Sequence, residues 1–162
     1  MKRFRYIILF CLLAHVCLAQ DSLKSKQEAE DKEWNSDFSF LDTITKAIYE
    51  TKKVDIITQS DVDYFVHLLI KRCNTNNAEW GEWSNHVLFD LLEYKTKEML
   101  HSFVKVDSIK FNSCIIGEIS APIDDLIPIK KILDEVKHAD CNQNIKNKVI
   151  NALNINILPN EK

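Results

Sequence analysis

Glu98-Met99-Leu100-His101 and Glu135-Val136-Lys137-His138 each place a carboxylate and an imidazole three residues apart. Residues at i and i+3 share one side of a helix, so either pair could give a metal ion two ligands. Glu50 and Glu118 precede the two motifs in turn, giving the chain order Glu, E-x-x-H, Glu, E-x-x-H. Asp63 with His67 and Asp134 with His138 add two i,i+4 pairs with zinc-type donors. On an exposed helix the same spacing makes an ordinary ion pair worth about 0.2–0.5 kcal/mol.

The four-part order resembles the ligand order of ferritin-like di-iron carboxylate bundles, a resemblance that implies ligands projecting into a bundle core. Helix geometry points them elsewhere. At about 100° per residue from Leu88, the apolar Leu92, Met99 and Phe103 fall near about 40°, 20° and 60°, whereas Glu98 and His101 fall near about 280° and 220°. From Ile129, Ile132, Leu133 and Val136 fall near about 300°, 40° and 340°, and Glu135 and His138 near about 240° and 180°. Both pairs therefore face solvent, and neither i,i+4 pair has a third ligand in view. The histidines show no HExxH spacing and no Ser/His/Asp set is readable. No catalytic residue, metal ligand or cofactor is expected.

Only two of the 162 residues are glycine, Gly81 and Gly117. Loops that bring backbone close to phosphate need several. G-x-G-x-x-G, the Walker-type loop and the G-x-S-x-G elbow are all absent. Turn-dense all-β folds, which lean on residues with positive φ, are disfavoured too. The scarcity suits a protein whose turns are short Asn-, Ser- and Asp-based helix connections, with Gly81 as the flexible residue between two tryptophans.

Glu79-Trp80-Gly81-Glu82-Trp83-Ser84 resembles the W-x-x-W-S opening of thrombospondin type 1 repeats. The likeness covers five residues and then departs, because those repeats continue into cysteines and Asn85-His86 follows here. Trp80, Gly81 and Trp83 are read instead as a loop ahead of a helix that begins at Ser84 or Asn85. That loop either packs onto the helices or serves as a contact, since aromatic side chains are enriched among interface hot spots.

Lys2, Arg3 and Arg5 precede an apolar run from Tyr6 to Leu18, and Cys17-Leu18-Ala19 offers small residues at the cleavage positions. This reads as a signal peptide, 1–19, cleaved after Ala19. The run is shorter than the ~20 residues that span a bilayer. Neither Cys11 nor Cys17 follows the small residue that a lipidated cysteine calls for, and no later segment is apolar enough to span. The full chain has 21 basic and 24 acidic residues, a net charge of −3; without the three leader cations, 18 face 24 and the net charge becomes −6. That balance repels nucleic acid, which needs a basic face. Export places the remaining Cys73, Cys114 and Cys141 in an oxidising compartment, where one disulfide and one free thiol are expected, with the pairing left open.

Residues 20–37 are mostly polar and read as a flexible lead-in. A single domain follows over 38–158, with a tail at 159–162. Phe40, Ile44, Ala47 and Ile48 lie at one-face spacing behind a start at Ser39 with Asp42. Val62, Phe65, Val66, Leu69 and Ile70 make a wide apolar face behind Ser60 and Asp63. From Ser84 to Phe103 the pattern is helical but places Lys95 on the apolar face, which favours two helices broken near Lys95-Thr96 over a snorkelling lysine. Ile109 to Ile119 is read as helix, although its β-branched residues would also suit a strand. Pro128 suits an early helix position, with Ile129, Ile132, Leu133 and Val136 on one face. Asn142 or Asn144 starts a last helix carrying Ile145, Val149, Ala152 and Leu153.

The predicted fold is all-α, with six or seven short amphipathic helices as stacked αα-hairpins, in an orthogonal bundle or a short HEAT-like array. The expected function is an exported, non-catalytic module binding an unknown protein partner. Two rivals are a carrier of a small apolar ligand between helices and a metal-dependent enzyme. Insect odorant-binding proteins are similar in size and helicity, but three cysteines cannot reproduce their paired framework.

Overall fold

The computed structural model describes residues 2–157, with side chains described from residue 24 onward. Side chains of the expected leader, 1–19, and all of the expected tail, 159–162, lie outside the described residues. By its internal contacts the chain forms two units, Met1–Ser39 and Phe40–Lys162. The protein is all-α, as the periodicity implies, with seven helices among the described residues.

Helix α1 spans Lys2–Tyr49. It therefore includes residues 20–37, which were expected to be a flexible lead-in, and Ser39 sits inside it rather than at its start. Composition explains the helical state of this stretch. Lys, Gln, Glu and Ala are strong helix formers, and an all-polar helix gains from i,i+4 pairs. Lys24 lies 3.9 Å from Glu28, and Gln27 donates to Asp31 at 3.0 Å. In the second unit, α1 buries Leu41, Ile44, Ala47 and Ile48.

A short 3₁₀ turn at Val54–Ile56 leads to α2, Gln59–Lys71. Its cap is Thr58, not Ser60. The Thr58 hydroxyl accepts from Asp61 N while the Asp61 carboxylate accepts from Thr58 N, a complete capping box. Helix α3, Ala78–Tyr94, is capped by Asn77, whose side chain accepts from Trp80 N at 3.0 Å. The chain breaks at Lys95, and α4 follows at Thr96–Val104. Thr96 is the first residue of that helix, and its hydroxyl donates to Leu92 O at 2.7 Å across the break.

Helix α5 is a composite, α-helical at Ser108–Lys110, π-helical at Phe111–Ile116 and α-helical again at Gly117–Ile119. The ambiguous segment is thus helical, with Ile115 and Ile116 in the wider π turn and Ile109 and Ile119 in the α-helical ends. Helix α6, Ile129–His138, follows Pro128, and α7, Gln143–Ile155, is capped by Asn142, which accepts from Asn144 N and Ile145 N. Cys73, just past α2, is bonded to Cys114 of α5, and Cys141 is a free thiol.

In the second unit α2 packs on α4, α3 packs on α4 and α6, and α7 packs on α6, α5 and α4, giving a small helical bundle. Phe65, Leu88, Leu92, Leu100, Phe103 and Ile132 are among its fully buried residues. Asn85, also fully buried, donates to Glu118 Oε2 at 3.1 Å and accepts from Ile123 N at 3.2 Å. This one side chain ties α3 to the end of α5 and to the loop over 120–128.

Candidate functional site

The Trp80-Gly81-Trp83 segment is the first turns of α3, not a loop. Asn77 supplies the cap that starts the helix six or more residues earlier than expected. Gly81 has helical backbone with no positive φ, and a Cβ built there would meet nothing within 4 Å. Trp80 is buried in the core at 4% exposure. Trp83 is half-buried, and its indole Nε1 donates to Thr45 Oγ1 of α1 at 3.3 Å.

With the helix begun at Ala78, a polar stripe becomes visible. Taking Glu79 as zero and about 100° per residue, Glu82, Trp83, His86, Asp90 and Glu93 fall near about −60°, 40°, −20°, 20° and −40°. All six lie within an arc of about 100°, spread over about 21 Å of helix. Trp80, Ser84, Asn85, Val87, Leu88, Phe89, Leu91 and Leu92, on the rest of the circumference, are buried. The stripe is the outward face of α3.

Two hollows run along this face and share His86. The first, about 300 Å³, is lined by Glu79, Glu82, Trp83 and His86. The second, about 130 Å³, lies between α3 and the 120–128 loop, among Tyr49, His86, Asp90, Glu93, Asp124 and Leu126. Leu126 is 87% exposed. The loop is held by Asn85, as described, and by Leu126 N donating to Asp124 Oδ1 at 2.8 Å.

The electrostatics of the face are unusual at Asp90. Burial pushes its carboxyl above the ordinary carboxylate range, and neighbouring Glu93 adds to the shift; the Tyr49 hydrogen bond and His86 oppose it. The Tyr49 hydroxyl donates to Asp90 Oδ1 at 2.5 Å and is itself pushed up, chiefly by burial and then by the bond to Asp90. Glu93 is satisfied differently, with Lys131 Nζ at 2.7 Å.

The metal-type pairs are dispersed. His101, Glu135, His138 and Glu50 are exposed, and Glu98 is half-buried. Glu118 is half-buried and engaged by Asn85. Asp134 and His138 form an exposed i,i+4 pair at 3.5 Å. Asp63 does not partner His67: its carboxylate takes hydrogen bonds from Gln59 at 3.1 Å, Ser102 at 2.5 Å and Lys105 at 2.6 Å. Ser102 and Lys105 join α2 to the C-terminal end of α4, and the donors hold the Asp63 carboxyl below its usual range, Lys105 first and Ser102 next. Among the described residues no group of three or more His, Cys, Asp or Glu side chains could hold a metal ion. A further hollow, about 680 Å³, is lined by Asp125, Lys130 and Lys131 as well as Ile127, Ile129 and Ile157, so its wall mixes charge with apolar surface.

Among the described residues, no helix is long and apolar enough to cross a membrane. No protein-family model, curated protein or solved structure matches the chain.

Proposed function

We propose that this chain is an exported, non-catalytic helical module that binds another protein through the outward face of α3. The observation that carries the reading is the single stripe on which half-buried Trp83 sits among Glu79, Glu82, His86, Asp90 and Glu93, with Tyr49 and Leu126 beside it. A large half-buried aromatic on a contiguous face, flanked by polar groups, is the composition expected of a protein contact. Trp80 has no part in it, because it belongs to the core.

The electrostatics of the face support the non-catalytic part. Asp90 and Tyr49, the perturbed pair on this face, are hydrogen-bonded to each other, and a hydroxyl pushed above its ordinary range is a poor base or nucleophile at neutral pH. Export is supported by the basic start and apolar run over 2–18, followed by a small residue at Ala19. The Cys73–Cys114 bridge suits an oxidising compartment.

The test is a photo-reactive amino acid placed at Glu82, with the same group at exposed Lys97 of α4 as the control, irradiated in the native compartment. Protein adducts at position 82 and none at 97 are expected. No adduct at 82, or identical adducts at both positions, would overturn the reading.

A further inference from the structure

We infer that the partner docking on α3 presents a lysine or arginine side chain, seated in the hollow lined by Glu79, Glu82, Trp83 and His86. The inference rests on the protein-binding reading above and adds the chemistry of the partner.

The chain contains its own instance of this pairing. Towards the C-terminal end of α3, Lys131 Nζ lies 2.7 Å from Glu93 Oε1 and 5.6 Å from the centroid of the Tyr94 ring. A cation is met there by a carboxylate and by an aromatic ring, the two groups that favour an ammonium or guanidinium. Near the N-terminal end of the helix the same two chemistries recur, with two carboxylates for one and the preferred ring, an indole, in place of a phenol. Among the described residues neither Glu79 nor Glu82 takes part in an ion pair. Where α6 supplies Lys131 to one end of α3, no element among the described residues supplies a cation to these two carboxylates.

Charge elsewhere points the same way. Asp90, next along the stripe, is a carboxylate disfavoured by burial, and an arriving cation would relieve it. The chain as a whole carries more acidic than basic residues, 24 against 21, so its long-range field attracts a basic partner and repels an acidic one. The Trp83 indole is already bonded to Thr45 at 3.3 Å, which lowers the ordering cost on binding.

The experiment measures binding of a blocked octapeptide of alternating arginine and glycine, by fluorescence anisotropy of a neutral dye, at about 50 mM salt. The parent is compared with Glu79→Gln/Glu82→Gln. The control is Asp134→Asn/Glu135→Gln, which removes the same charge from the exposed face of α6. Circular dichroism verifies that each variant is folded. The α3 pair should weaken binding about five- to tenfold, as expected for two rim carboxylates. The α6 pair should change it less than about twofold, and an octapeptide of alternating glutamate and glycine should not bind. Trp83→Phe, which keeps a ring, should bind better than Trp83→Leu. Equal losses in the two charge variants, or parent-like binding by the α3 pair, would overturn the inference. If adducts still form at position 82 in that case, the α3 surface stands and only the cationic ligand falls; absence of adducts removes both.

Discussion

Asp63 and Asp90 are both carboxylates on helices of the same bundle, and their surroundings are opposite. Asp63 receives Gln59, Ser102 and Lys105 in a contact that joins α2 to α4, and its carboxyl is held below the ordinary range. Asp90 receives the Tyr49 hydroxyl on a face otherwise lined by Glu79, Glu82 and Glu93, and burial holds it above that range. The first carboxylate is fully engaged in holding helices together. The second sits where negative charge is left incompletely answered by the fold, and that difference is what marks α3 as a surface for something else.

The comparison can be broken at the packed side first. Replacing Cys73 and Cys114 by serine removes a link between residues 41 apart in sequence. Chain entropy for a loop of that size puts the loss at about 4 kcal/mol, measurable by urea unfolding. Binding at α3, measured well below the unfolding midpoint, should survive this change.

Asp63→Asn leaves three donors with a weaker acceptor and should cost about 1 kcal/mol at neutral pH. The sign of its pH dependence follows from the lowered pKa. Stability contributed by Asp63 is present above the unfolded value of 3.8 and is lost as pH falls through the lower folded value. Thermal unfolding scans should therefore show the parent and the variant converging in acid.

Gly81→Ala separates the two descriptions of the tryptophan segment. In a helix interior with nothing within 4 Å of the new methyl group, the change should stabilise by about 0.5–1 kcal/mol. A destabilisation would restore the flexible loop.

Asp90→Asn should have the smallest effect, within about 0.5 kcal/mol at neutral pH, because the amide oxygen still accepts from Tyr49. Here the sign reverses. A raised folded pKa means that the contribution is full below 3.8 and is lost as pH rises through the folded value. The variant should thus gain on the parent from about pH 4 towards neutrality, opposite to Asp63→Asn.

The pattern of sequence explains why one of these regions was readable and the other was not. Apolar periodicity located α2, α6 and α7, and the misplaced charge of Lys95 revealed the break between α3 and α4. Caps were harder, since Thr58 with Asp61 and Ser60 with Asp63 have the same spacing and only the folded chain gives Asp63 to Ser102 and Lys105. Gly81 between two tryptophans masked the start of α3, and with it the stripe. Applying a 3.6-residue period to the polar residues from Glu79 to Glu93 would have found that face. The partnership of Asp90 with Tyr49, 41 positions away, has no local signal at all.

The most direct test of the α3 surface is a ¹H–¹⁵N correlation spectrum of the labelled protein, titrated with the arginine–glycine octapeptide. Saturable shifts at the Trp83 indole and at the amides of Glu82, His86 and Asp90, with Gln59, Ser102 and Lys105 unmoved, are the expected result. Shifts centred on the α2–α4 contact, or none that saturate on α3, would contradict it.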